Sequence, residues 1–381
     1  MISLTHRERV LASLNHQQPD RVPLDFGGIG VTDIVVPAYE HLKKYLGLEH
    51  ETKADRGRER TVIPDEAVLR RFDIDTRTVR LGGFKSRKRK VIDANTYVNA
   101  WGTTLRGTED HFYMDVDGAF RKCDPEIAIL EAFDWPDPDD PGLYEGIREK
   151  TESLRKNSDF AIVLTLYPGN GILKQSMNMR GFTEFLVDLR ENPEFACRLM
   201  DKMTELYIRI AENALDAVGQ NVDILFYADD LGHQQSTLMS PAIYRKLIKP
   251  RHKRFFTALK SRSDAKILMH SDGSIDTLIE DLIEIGVDAL NPVQVSARNM
   301  DPDRLKKEFG DRLSFWGGID TRDVLPFRSP KEVREEVRRI IDVMGEGGGY
   351  VLASVQTIQA EVPPENIVAM FEEARSYGER R

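Results

Sequence analysis

KILMHSDGSIDTLIEDLIEIGVDALNP, residues 266–292, contains one full turn of the pattern on which the fold rests. KILM (266–269) is short and mostly apolar and ends on His270-Ser271-Asp272-Gly273; IDTLIEDLIEIG (275–286) then repeats its apolar residues at helical spacing, and VDAL (287–290) begins the next apolar run. Such a stretch reads as strand, loop, helix and strand. The same unit recurs at FAIVLTL (160–166), VDILFY (222–227), LSFW (313–316) and YVLA (350–353), and RVPLDF (21–26) and TVRL (78–81) bring the strand runs to eight. Ser240-Pro241, Ser329-Pro330 and Pro363-Pro364-Glu365 supply helix starts between them, serine as N-cap and proline in the first turn. Runs that are apolar throughout are buried on both faces, as in a parallel sheet. Eight such units predict a closed (β/α)8 TIM barrel, here one domain over residues 1–381. A doubly wound open sheet is the rival, but Gly27-Gly28-Ile29-Gly30 after the first run lacks the G-x-G-x-x-G spacing.

The rhythm breaks between residues 84 and 120. VIDANTYVNAWGTTLRG and HFYMDVDGAF alternate around Tyr97, Trp101, Phe112 and Met114, which predicts an antiparallel β-hairpin insertion after the second strand. About forty residues rarely hold a core of their own, so the insertion belongs to the barrel. The run Lys85-Ser86-Arg87-Lys88-Arg89-Lys90 reads as a solvated loop, Gly345 to Gly349 as a turn, and Arg180 and Arg190 as solvated helix positions.

Composition narrows the function. With 54 basic and 63 acidic residues and a net charge of −9, the chain lacks the basic balance of a nucleic-acid binder. No run of about 18 apolar residues predicts a membrane span. MISLTHRERVLASLNH lacks a signal peptide's apolar core and cleavage site, and Cys123 and Cys197 form no Cys-x-x-Cys pair. A cytoplasmic protein is the simplest expectation.

In a barrel of this kind the loops after the strands form the active face. The polar residues at those positions are Asp25, Tyr167, Tyr227, Asp229, Asp230, His233, His270, Asp272, Asn291, Gln294, Asp320 and Gln356. Asp229, Asp230, His270 and Asp272 are the catalytic candidates; Asp25, Tyr227, His233, Asn291, Gln294 and Gln356 are candidates for binding substrate. Adjacent side chains on an extended segment point opposite ways, so one of Asp229 and Asp230 is expected to face the cavity and the other to structure its loop. His270 and Asp272, two residues apart at a strand end, can face one cation.

Several of these stretches together resemble a known family. RERVLASLNHQQPDRVPLDFGG near the start, and HSDGSIDTLIEDLIEIGVDALNPVQ, WGGIDTRDVLP and GGGYVLASVQTIQAEVPPENIVAMFEEA towards the end, look like the uroporphyrinogen decarboxylase superfamily. The resemblance implies a (β/α)8 barrel and one of two activities. One branch decarboxylates the acetate arms of a tetrapyrrole without a cofactor. The other uses zinc to move methyl groups between a corrinoid-protein cobalt and a thiol, amine, methyl ether or folate. The decarboxylases resembled carry an arginine-rich segment, roughly P-x-W-x-M-R-Q-A-G-R, where this chain has Val22-Pro23-Leu24-Asp25-Phe26-Gly27-Gly28, and a histidine before the terminal P-P-E-N where it has Gln356. The thiol-directed methyltransferases carry H-x-C-G and a later cysteine as zinc ligands. His270 and Gly273 match the first motif, Asp272 replaces its cysteine, and Gln356 stands at the later one.

The expectation that follows is a corrinoid-linked methyltransferase of the O-demethylase type. Its methyl donor would be a small methoxylated or methylated compound, its acceptor a corrinoid on a separate protein. His270 and Asp272 would hold zinc if zinc is used, and an acid-lined mouth of Asp25, Asp229, Asp230 and Asp272 would favour neutral or phenolic donors. The alternatives are a cofactor-independent decarboxylase or lyase acting on another small acid, and a non-catalytic binding subunit.

Overall fold

The structure, a computed structural model, describes residues 3–48, 52, 61–107, 113–166 and 170–378. Seven parallel strands form its central sheet: β1 (Thr76–Arg80), β2 (Ala161–Thr165), β3 (Ile224–Ala228), β4 (Lys266–His270), β5 (Ala289–Asn291), β6 (Ser314–Ile319) and β7 (Tyr350–Ser354), in that spatial order. Period-two alternation divides their side chains between two layers. Ala161, Val163, Ile224, Phe226, Leu268, Ala289, Trp316, Val351 and Ala353 fill the inside of the curled sheet. Ile162, Leu164, Leu225, Tyr227, Ile267, Met269 and Leu290 pack outwards in the larger cluster shared with the helices.

The eighth position departs from the expected strand at residues 21–26. Only Leu24 makes a bridge, parallel to Leu352 of β7. Leu352 N–H donates to Pro23 O and Asp25 N–H to Leu352 O, while Asp75 N–H donates to Leu24 O on the β1 side. Pro23 has no N–H, and the Leu24 N–H goes to the Asp75 carboxylate at 2.7 Å, so the ladder cannot lengthen. The gap between β7 and β1 is thus spanned by one residue.

Helix α1 (His6–Leu14), started by a Thr5/Glu8 capping box, seals the end of the sheet at the strand N-termini. Its Val10 and Leu14 enter the inner cluster, and Ser13 Oγ donates to Tyr350 O at 2.7 Å. Arg9 and Arg21 converge there on the fully buried Asp75, at 2.7 and 2.8 Å.

The stretch after β1 forms an antiparallel four-stranded sheet, Lys90–Val91, Thr96–Val98, Thr104–Gly107 and Tyr113–Asp117 in that order, anchored where Trp101 packs edge-on against Phe84 and Tyr207. Phe112 lies outside the described residues. Lys88, Arg89 and Lys90 are exposed. Arg180, expected in solvent, is instead buried: its Nε meets Asp188 at 2.6 Å and its Nη1 donates to Phe120 O and Cys123 O, because its helix is roofed by the chain leaving the β insertion. Arg190 is exposed. Among the described residues no helix is long and apolar enough to cross a membrane.

Candidate active site

At the C-terminal end of β4 the inward alternation that buries Leu268 also turns His270 into the barrel mouth. Its Nδ1 lies 2.6 Å from Asn291 Oδ1 on neighbouring β5, and Asn291 Nδ2 donates to Trp316 O at 3.0 Å. The second bond sets the amide orientation, so Asn291 presents an acceptor and Nδ1 carries the hydrogen. Nε2 is left facing two carboxylates, Asp272 Oδ2 at 3.6 Å and Asp230 Oδ1 at 3.8 Å. Burial opposes charge on the imidazole, but the Asp272 and Asp230 carboxylates and the Asn291 bond prevail and raise its pKa to about 9. Asp272 is held below the usual carboxylate range: burial works against its charge, and His270 and the Gln356 amide outweigh it. Gln356 Nε2 donates to Asp272 Oδ2 at 3.0 Å, and Lys174 Nζ stands 3.7 Å from Asp230 Oδ2.

One nitrogen and two carboxylate oxygens, all within 4.8 Å of one another, make a donor set for a divalent cation. Ligands at roughly 2.0–2.2 Å from a tetrahedral centre stand roughly 3.3–3.6 Å apart, close to the spacings around Nε2. The Asn291 bond to Nδ1 is the outer support that histidine ligands need. The residues present fit a cation.

The other candidates divide by where they point. Asp229 turns away from Asp230 and is saturated: it accepts from Leu173 N at 2.8 Å, Lys174 N at 2.7 Å and the Tyr227 hydroxyl at 2.9 Å, with His252 Nε2 at 3.0 Å. It clamps the first turn of α2 (Ile172–Arg180) and has no side for substrate. Tyr227 packs outwards, its hydroxyl also accepting from Ile172 N, because its neighbours Phe226 and Ala228 take the inner face. Asp25 is buried among four donors, Gly28 N, Thr32 Oγ1, Thr76 Oγ1 and Trp316 Nε1; burial still pushes its carboxyl up. It ties the closing segment to β1 and β6. Gln294 Oε1 accepts from Gly273 N at 2.6 Å and fixes that loop. His233 is exposed on the rim, bonded to Ser236. Asp320 accepts from Asp323 N and keeps its other oxygen buried without a hydrogen-bond partner among the described residues. Tyr167 lies outside the described residues.

The acid-lined mouth is therefore corrected. Two of its four acids, Asp25 and Asp229, are internal struts, and Asp230 and Asp272 face Lys174 and His270. Lys174 escaped the sequence reading because it sits inside the first turn of a helix and not at a strand end; the one signal was its place shortly after the β2 loop.

Trp316-Gly317-Gly318 supports the site from below: Gly317 and Gly318 have φ of +116° and +93°, a backbone that side chains rarely adopt, and Gly317 borders the Asn291 amide, whose Nδ2 an added Cβ would meet at an ordinary contact distance of 3.4 Å. A profile of the uroporphyrinogen decarboxylase (URO-D) family matches residues 172–377, more than half the chain. The chain belongs to the uroporphyrinogen decarboxylase family. The match takes in every residue of the cluster, from Lys174 to Gln356. Among its relatives, the uroporphyrinogen decarboxylase of Alkalilimnicola ehrlichii is 23% identical over 380 residues, covering 97% of this chain and 94% of that protein. That of Pseudoalteromonas atlantica is 22% identical over 317 residues, covering 81% and 80%. Among solved structures, a methyltransferase from Methanosarcina mazei superposes with a TM-score of 0.69 over 98% of this chain and 99% of that one, at 19% identity. At that identity the likeness shows a shared fold.

Proposed function

We propose that this member of the uroporphyrinogen decarboxylase family is a methyltransferase that takes a methyl group from a small methoxylated compound and delivers it to a corrinoid carried by a partner protein. The convergence of Asp230, His270 and Asp272 in the mouth supports the reading, together with the fold shared with a methyltransferase. A divalent cation, zinc foremost, held by His270 Nε2, Asp272 and Asp230, would supply Lewis-acid polarisation of the departing oxygen. The rest falls to the chain's own groups. The methyl–oxygen bond breaks as the methyl–cobalt bond forms, and the oxygen leaves with a proton. Where no cation occupies Nε2, His270, its charge favoured by both carboxylates within 3.8 Å, supplies that proton in place of the cation's polarisation, and Asp230 at the solvent side is placed to replenish it. Asn291 holds the imidazole, Gln356 orients Asp272, and Asp229 fixes the backbone beneath Lys174.

The names of its relatives favour a second reading, decarboxylation of a small acid by the same cluster without a cation. Uroporphyrinogen itself is a poor fit, since the segment that would clamp its carboxylates contributes a buried aspartate and no arginine. The test is the change in visible spectrum from cob(I)alamin to methylcobalamin on a reduced corrinoid protein, run over a panel of methyl ethers with metal content measured alongside. Methylation that disappears in Asp230→Asn and His270→Ala supports the proposal. Carbon dioxide release from uroporphyrinogen, with no methylation from any ether, overturns it.

A further inference from the structure

Helix α2 begins at the mouth shortly after β2 and is buried nearly all round. Only Lys174 and Asn178, four residues apart on one stripe of it, are partly exposed. The backbone at that end of the helix has its donors spent: Ile172 N–H goes to the Tyr227 hydroxyl, and Leu173 and Lys174 N–H go to the Asp229 carboxylate. What this corner offers a ligand is therefore the Lys174 side chain, whose starting point is set by a strut that lies outside the cation cluster.

The Lys174 ammonium stands 3.7 Å from Asp230 Oδ2, while Oδ1 of the same carboxylate faces His270 Nε2. At that distance the two charges pair without a hydrogen bond, and the ammonium donates no hydrogen bond among the described residues. An ammonium is a compact point charge with three rotatable donors, so Lys174 can keep Asp230 as its neighbour and still donate to another anion. Charge favours this. Asp230 and Asp272 bring two negative charges to the cluster, which a divalent cation held there would offset in full. The Lys174 charge is then the surplus, on a side chain that solvent reaches. Only the width of one carboxylate separates it from the cluster, so an anionic group that meets Lys174 lies within a few bonds of the atom that meets the cluster.

We propose that Lys174 forms an anion-binding subsite beside the Asp230–His270–Asp272 cluster, and that the substrate is a small methoxy acid whose carboxylate lies against Lys174, a few bonds from the methyl-bearing oxygen at the cluster. The proposal rests on the methyl-transfer reading for the ether end of the substrate, and it replaces the neutral or phenolic donor expected from an acid-lined mouth. Lys174 is here a substrate-binding, specificity-determining residue.

The experiment is equilibrium binding by calorimetry to protein equilibrated with zinc, with no corrinoid or reductant present. Methoxyacetate and 2-methoxybenzoate are compared with their neutral amides, and the zinc affinity of each variant is titrated separately. The expected result is a preference of about tenfold or more for the acids, weakened by salt, lost in Lys174→Met and kept in Lys174→Arg. Lys174→Met should bind zinc no more weakly than the parent, since the lysine is no ligand and its charge opposes the cation's. Equal binding of acid and amide, or no binding of any probe, overturns the subsite. So does an acid preference that survives in Lys174→Met. A fall in zinc affinity that accompanies the lost preference overturns it too, since Lys174 would then serve only to hold Asp230. Lys174-dependent acid binding without corrinoid methylation upholds the subsite and sinks the methyl-transfer reading. Methylation from neutral ethers, with no preference for acids, does the reverse.

Discussion

Asp229 and Asp230 are chemically identical neighbours with opposite employment, which makes them the sharpest comparison at the scale of single residues. Asp229→Asn removes the charge that four buried or half-buried donors share and should lower stability by about 2–3 kcal/mol, read as a shift in a denaturant melt. Asp230→Asn, on a half-exposed side chain, should leave the melt nearly unchanged and weaken zinc binding in a calorimetric titration. Equal effects of the two on the melt would show that the inward and outward assignment is wrong. Asn291→Ala frees His270 Nδ1 and should weaken zinc binding by about 10–100-fold, the usual effect of losing an outer-shell partner. Period two told the sequence reader that one aspartate faces out; which one depends on whether Phe226 or Tyr227 takes the inner layer, and both are large aromatics. Asp25 misled for another reason. It follows a single bridged residue and not the expected strand, and four donors drawn from three other segments surround it, which no local pattern reports.

Among the elements, the two loops after β3 and β4 behave as one unit. Asp229 N donates to His270 O, Leu231 N to Ser271 Oγ, and Ser274 N to His233 O. They meet at Gly273, whose φ of +89° and position 2.5 Å from Gly232 C and His233 N for an added Cβ exclude any side chain. Gly273→Ala should force the loops apart, separating Asp230 from Asp272. Zinc affinity is then expected to fall at least as far as in Asn291→Ala, while the far-ultraviolet circular dichroism stays native because the sheet below is untouched. Unchanged zinc affinity would mean that the loop contact does not set the spacing of the ligands. Most strands were legible in the sequence to within a few residues, since burial on both faces keeps their centres apolar; β1 (TRTVR) was the weakest signal, its buried Thr76, Arg77 and Thr78 giving only one apolar residue. The closing segment was not legible: RVPLDF has strand composition, and only the competition of Asp75 for the Leu24 N–H reveals that it pairs through one residue.

For the molecule as a whole, the end opposite the site is held by buried charge. Asp75 balances Arg9 and Arg21 and also receives the Leu24 N–H. Asp75→Asn should cost about 3–5 kcal/mol, the range for breaking a buried ion pair, without changing zinc affinity in the protein that remains folded. The neighbouring His6–Asp73–Asp159 contacts make stability depend on pH in both directions. The His6 bond and the Arg21 charge hold Asp73 well below the carboxylate range, against burial, and Asp20 is held low by Arg9 despite its own burial. Their contribution is complete above an unfolded pKa of about 4 and disappears as pH falls through the lower folded values. His6 is raised: burial opposes its charge, and Asp73, Asp75 and Asp159 outweigh it. Its contribution is complete below about pH 6.5 and disappears as pH rises through the folded value. Melting temperature should therefore peak between about pH 4 and 6.5 as far as these groups decide it; His6→Gln should flatten the alkaline side and also weaken the acid side, because Asp73 and Asp159 lose the partner that lowers them, leaving the parts held by Arg21 and Arg9.

The single-residue closure also sets an order of events for the nascent chain. Leu24 pairs with Leu352, and Ser13 with Tyr350 across 337 positions, so a segment made earlier than every strand of the sheet waits for the last of the seven described strands. Until β7 leaves the ribosome, the product is an open curl whose two borders, β1 and β6, expose unpaired main-chain groups. Contacts of such long range form slowly, and bare sheet borders invite pairing with other chains. The hazard of aggregation should accordingly be greatest for chains arrested shortly before Tyr350, and should drop once translation passes the few residues that let Leu24 find its mate.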